Sequence, residues 1–208
     1  MIVLRTWVWG AVVGMATCTA GRAQADLVID QQTTTPPNGG TSTDVISPLG
    51  QTFTPTLTAI DFAGFALSQS VTGPQAQGGA YRVSLHQGDT LNGLLLGTTP
   101  DLFLAPGFVP GFHDFYFPTR ITLTPGQTYT LSFEKVFGDG VLIAGDERTE
   151  YAGGMAILRG APFPGLNFNF REGLFIPAPE PPSLALITAA VPPGLVYWWL
   201  RRRPRLGA

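Results

Sequence analysis

Between the two ends of this 208-residue chain there is no tryptophan and no cysteine. The four tryptophans are Trp7, Trp9, Trp198 and Trp199, and the one cysteine is Cys18. A body spanning residues 26–178 therefore forms no disulfide and no thiolate metal site, and it has no indole to offer as a stacking platform. Basic residues are scarce as well. Arg82, Arg120, Lys135, Arg148, Arg159 and Arg171 stand against thirteen Asp and Glu, a net charge of −7 for this stretch. That balance argues against nucleic acid as a partner, since binding needs a basic stripe to displace condensed counterions. No Gly-x-Ser-x-Gly elbow occurs, and nothing sustains a helical period. His86 and His113, the only histidines, fall on the polar side or the edge of expected strands and read as surface imidazoles, so the body is read as non-enzymatic.

What the body does have is alternation. Residues 81–86 put Tyr81, Val83 and Leu85 on one face with Arg82, Ser84 and His86 on the other, and residues 128–133 repeat the pattern. Further strands are expected at 27–31, 51–54, 58–67, 94–98, 113–117, 141–144, 155–159, 167–171 and 174–176. Thr124-Pro125-Gly126-Gln127 has the Pro and Gly placement of a type II turn, and Gly138-Asp139-Gly140 suits a hairpin with positive φ. Residues 32–43 read as a polar loop or linker. Many short strands at about ten-residue spacing predict an all-β body at 26–176, an antiparallel β-sandwich or jelly roll. The apolar stretch 103–112 is expected to pack underneath it.

Both ends carry topogenic signals. Residues 1–25 combine Arg5, an apolar run at 7–16 and Ala23-Gln24-Ala25, which predicts a signal helix cleaved before Asp26. The alternative, a lipoprotein site at Cys18, has Thr17 where a small Ala, Gly or Ser is expected. Residues 183–200 contain no ionisable side chain and reach roughly 27 Å as a helix, enough for a single transmembrane helix. Pro192-Pro193-Gly194 kinks that span. Tyr197, Trp198 and Trp199 occupy an interfacial position, and Arg201, Arg202, Arg203 and Arg205 stay on the cytoplasmic side. Upstream, the alternating prolines of 177–182 hold an extended stalk carrying Pro179-Glu180-Pro181.

The order and spacing of Pro179-Glu180-Pro181, the span at 183–200 and the basic cluster at 201–205 strongly resemble the PEP-CTERM sorting signal. The resemblance implies an exosortase-type membrane processing enzyme as partner. It also implies an exported protein, transiently membrane-anchored with a cytoplasmic C-terminus and then released to the cell surface or outside. Gly50-Gln51-Thr52-Phe53-Thr54, Leu123-Thr124-Pro125-Gly126-Gln127-Thr128-Tyr129, Tyr151-Ala152-Gly153-Gly154 and Phe168-Asn169-Phe170-Arg171 are similar to motifs of choice-of-anchor β-sandwiches, which supports the fold.

For function, the first reading is a structural or adhesive surface protein associated with extracellular polysaccharide. The second is a carbohydrate-binding module. With Tyr81 and Tyr129 assigned to the core, Tyr116 and Tyr151 are its candidate stacking residues. A third is a calcium-assisted hydrolase built on Asp139, Asp146, Glu147 and Glu150, hard oxygen ligands on loops that suit Ca²⁺; otherwise no cofactor is expected.

Overall fold

The computed structural model describes residues 26–147 and 151–176. The predicted signal helix, the predicted sorting tail and transmembrane helix, and Glu150 lie outside the described residues. Fourteen strands and no helix occur among the described residues. They are β1 (Asp26–Gln32), β2 (Gly39–Ser42), β3 (Leu49–Phe53), β4 (Ala59–Gln69), β5 (Gly79–Gln87), β6 (Leu95–Thr98), β7 (Leu102–Leu104), β8 (Gly111–Thr122), β9 (Tyr129–Gly138), β10 (Val141–Asp146), β11 (Ala156–Leu158), β12 (Ala161–Phe163), β13 (Asn167–Phe168) and β14 (Phe170–Ile176).

Two antiparallel sheets result. The first runs β1-β14-β4-β10-β13, with β8 along the free edge of β4 and β2 along β10; the second runs β12-β11-β3-β9-β5-β6, with β7 also on β5. The alternation seen in the sequence has a direct outcome here. Tyr81, Val83, Leu85, Tyr129, Leu131 and Phe133 of the second sheet meet Phe65, Leu67, Phe115, Ile143, Phe168 and Phe170 of the first in one buried cluster. Phe133 is its hub, with edge-on contacts to Phe65 at 5.4 Å and Phe115 at 5.7 Å. Such pairs add to the area-proportional gain of burial.

One polar link crosses this apolar interior. Gln51, fully buried on β3, donates from Nε2 to Asn167 Oδ1 at 2.8 Å and accepts the Phe168 N–H at 2.8 Å through Oε1. A side chain of the second sheet thereby supplies the acceptor that a backbone donor of the first requires.

Several expectations change. Gly138-Asp139-Gly140 is not a hairpin: β9 lies in the second sheet and β10 in the first, so this turn carries the chain across the body. Gly138 does take positive φ, at 83°, because a tight reversal needs it whichever strand follows. The expected loop at 32–43 contains β2, whose backbone lies along β10. The stretch 103–112 is only partly underneath, with Leu104 buried but Phe103 54% and Val109 80% exposed. The Thr124–Gln127 turn matches its type II reading: Gly126 has φ 79° and Gln127 N–H donates to Thr124 O at 3.2 Å.

The first and last described residues, Asp26 and Ile176, are register partners in the β1–β14 pair. The chain thus enters and leaves the body at one place on the edge of the first sheet.

Replacing Gln51 with Leu strands the Phe168 N–H in a dry interior, so a loss of about 2–4 kcal/mol is expected from urea denaturation. A loss below about 0.5 kcal/mol shows that the link is dispensable.

A candidate binding groove on the first sheet

On β4 the alternation slips. Ile60 and Ala63 both face the core, three positions apart. The register with β8 passes from Ile60↔Ile121 to Phe62↔Tyr116, leaving Asp61 opposite the four residues Phe117, Pro118, Thr119 and Arg120. Pro118 has no N–H to give a ladder and belongs where pairing is interrupted on an edge strand. A bulge of this kind re-aims side chains. Here it opens a groove of about 570 Å³ lined by Asp61, Tyr116, Phe175 and residues 117–120.

Four of the lining residues, Asp61, Tyr116, Arg120 and Phe175, are fixed by side-chain contacts. Tyr116 is 45% exposed, yet its ring is braced from below by Phe62 at 6.1 Å and edge-on by Phe175 at 5.6 Å. Burial and then the Asp114 carboxylate push its phenol above the usual range, against the opposing charge of Arg171, so the hydroxyl stays a neutral donor and acceptor. Arg120 grips Asp61 with two nitrogens, Nε to Oδ1 at 3.0 Å and Nη2 to Oδ2 at 2.6 Å, and Phe175 N–H also donates to Asp61 at 3.2 Å. One carboxylate therefore ties β4 to both β8 and β14. Beside it, Arg171 makes a bidentate pair with Asp114 at 2.9 and 2.6 Å and lies 4.8 Å over the Phe112 ring. That pair crosses β4 at Gly64, where any Cβ would collide with Asp114.

The other predicted site residues disperse. Tyr151 lies on the opposite side of this sheet from Tyr116, edge-on to core Phe170 at 5.3 Å, and burial first pushes its phenol up to about 12. It cannot share a platform with Tyr116. Asp139 lies two residues before β10 and Asp146 is its last residue, so the length of the strand, roughly 17 Å, lies between them. Asp139 accepts the Gln77 and Gly78 N–H groups at 2.6 and 3.0 Å and secures the crossing turn, Asp146 is buried, and Glu147 is exposed. The expected acidic cluster is therefore not one site, and no group of three metal-ligating side chains occurs among the described residues. His86 Nδ1 pairs with Gly93 O at 3.2 Å and His113 Nε2 with Val109 O at 3.1 Å, each ring serving its own loop.

Sequence reasoning found Tyr116 and missed Asp61, Arg120 and Phe175. Pro118, set inside a strand-like stretch, was the available sign of an interrupted ladder. It also missed Glu172. This residue points inward from β14 with 0% exposure, beside Asp30 and the Gln31 backbone of β1. Burial first, and then the Asp30 charge, push its pKa to about 9. Asp30 stays ionised although burial works against it. Hydrogen bonds from Leu57 N–H at 2.9 Å, the Thr56 hydroxyl and Thr56 N–H at 2.7 Å outweigh that cost and hold its pKa low.

No protein-family model matches the chain, and neither does any curated protein.

A carboxyl whose pKa rises on folding costs nothing below its unfolded value near 4.5 and progressively destabilises the fold as pH climbs toward 9. Glu172→Gln is therefore expected to match wild type in thermal stability at pH 4 and exceed it at pH 8, the gap widening by up to about 1.4 kcal/mol per pH unit. Parallel Tm curves between pH 4 and 9 contradict this placement of the proton.

Proposed function

We propose that this is an exported β-sandwich of jelly-roll type that an exosortase-type enzyme recognises through Pro179-Glu180-Pro181 and that works, without catalysis, as a structural or adhesive protein of the cell surface. The observation carrying the reading is the Asp26↔Ile176 pair. A body delivered by a signal at one end and held by a tail at the other has both attachment points on one strand pair. The net charge of −7 keeps such a body soluble among extracellular polymers.

A second reading, a carbohydrate-binding module, is favoured by the groove. An exposed ring braced by two others, with a carboxylate and a guanidinium at its rim, offers one apolar surface and several directional polar groups within a volume ordinary for small-ligand sites. Asp61 and Arg120 hold each other in place and retain free lone pairs and N–H groups for hydroxyls.

The sorting reading is checked by the intact mass of the chain from membrane and medium fractions. Wild type is expected to lose its tail, and Glu180→Ala to retain it; an intact tail in both sinks the reading. For the groove, Tyr116→Ala is expected to weaken retardation by a glucose- or galactose-containing polysaccharide in affinity gels about tenfold. Unchanged mobility excludes Tyr116 as a contact.

A further inference from the structure

The second sheet has an outward face as well, and its residue order is unusual. Along β5 the outward positions are Ala80, Arg82, Ser84 and His86, because Tyr81, Val83 and Leu85 point into the core. Ala80 has Phe103 of β7 as register partner on one side and Phe137 of β9 on the other. The two rings lie near-parallel, 24° apart with centroids at 6.4 Å, and are 54% and 58% exposed. The next outward row is the Arg82–Glu134 fork, with contacts of 2.7 and 3.0 Å. After it come the hydroxyls of Ser84 and Thr98, 2.9 Å apart, with Ser132 beside them. His86 follows, and Leu91 and Asn92 wall a trough of about 650 Å³ over this polar part.

From this succession we infer a second binding site, a strip on the outer face of the second sheet that takes an uncharged oligosaccharide chain. Its parts match that ligand one by one. A pyranose ring has an apolar C–H face and a rim of hydroxyls. The Phe103–Phe137 pair supplies an exposed apolar seat at little entropic cost, since each ring is held by its neighbour. The Arg82–Glu134 fork presents N–H donors and carboxylate acceptors in one plane, suited to adjacent hydroxyls. The Ser84, Thr98 and Ser132 hydroxyls continue the polar lining. From Ala80 to His86 the strip measures roughly 20 Å at strand rise, room for a short run of sugar units rather than one. Arg82 and Glu134 cancel, so the strip offers no net charge to a polyanion, and the body's negative charge repels one further.

The inference rests on the reading that the protein works among extracellular polysaccharide, but its test needs neither sorting nor the Tyr116 groove. The full-length chain in mild detergent is titrated calorimetrically with cellohexaose, isomaltohexaose and, as a charged comparison, an oligomannuronate hexamer. Wild type is expected to bind at least one neutral hexamer and the uronate more weakly. Phe103→Ala and Phe137→Ala are each expected to weaken the neutral ligand about tenfold, and Tyr116→Ala to leave it unchanged. Both phenylalanines are exposed, so the variants keep wild-type Tm, which is measured alongside. The inference is overturned if no neutral hexamer binds, if either phenylalanine variant binds as wild type does, or if the uronate is preferred. It also fails if the phenylalanines instead hold two copies together, seen as a concentration-dependent dimer that Phe137→Ala dissolves. A failed Glu180→Ala mass experiment leaves this result untouched, and the reverse holds too.

Discussion

The first sheet depends on one break in register, where Asp61 of β4 faces four residues of β8. β4 is the strand on which β8, β14 and β10 all pair, so a slip there is felt across the sheet. It returns both Ile60 and Ala63 to the core while turning Phe62 outward beneath Tyr116. It frees the Asp61 carboxylate to take hydrogen bonds from Arg120 and from the β14 backbone. The lost ladder bonds are thus replaced by charge-assisted ones, which are stronger per contact, and the interruption that costs pairing is also what creates a groove. An unbroken β4–β8 ladder would leave a flat face with nowhere for a ligand to be enclosed.

The remaining polar interior is distributed by the same logic. Gln51 satisfies a backbone donor across the sheets and settles their relative position. Glu172 does the opposite, since a buried carboxyl next to the Asp30 charge can ionise only at a cost, which grows with pH. That cost falls within the β1–β14 pair, the pair through which the chain enters and leaves the body. Local opening starts where a segment is least stable. The edge formed by β1 and β14 is therefore the part of the body whose stability responds most directly to pH.

Strand positions were legible because one buried face imposes a period of two, and that period survives in Tyr81-Arg82-Val83-Ser84-Leu85 without any knowledge of partners. The Thr124–Gln127 turn was legible for a similar reason: its requirement is met within four residues. Sheet membership was not. Gly138-Asp139-Gly140 has the composition of a hairpin turn, and only the pairing of β10 with β4 and β2 shows that it crosses the body. Likewise Asp139, Asp146 and Glu147 are close in sequence, yet β10 runs from just after the first to end on Asp146. Of the groove, Tyr116 was legible as a tyrosine left over from the core faces; Asp61 was not, because it enters only through the β4–β8 register shift, and Phe175 was not, because it comes from β14, far along the chain.

The two outward faces differ in a way that composition alone foreshadows. With no tryptophan in the body, an aromatic seat has to be assembled from smaller rings, and smaller rings need bracing. On the first sheet that bracing is Phe62 and Phe175 around a single tyrosine. On the second it is mutual, Phe103 against Phe137 over Ala80, a residue small enough to let both lean in. An exposed apolar pair on the outer edge of a sheet invites unwanted strand pairing and aggregation. Here β7 is only three residues long and β9 bulges between its pairings with Tyr81 and Ala80, so the edge beside the rings offers little ladder to extend. The rings are exposed where the backbone is protected, an arrangement that permits contact with a partner lacking a backbone of its own to add, and sugar chains have none.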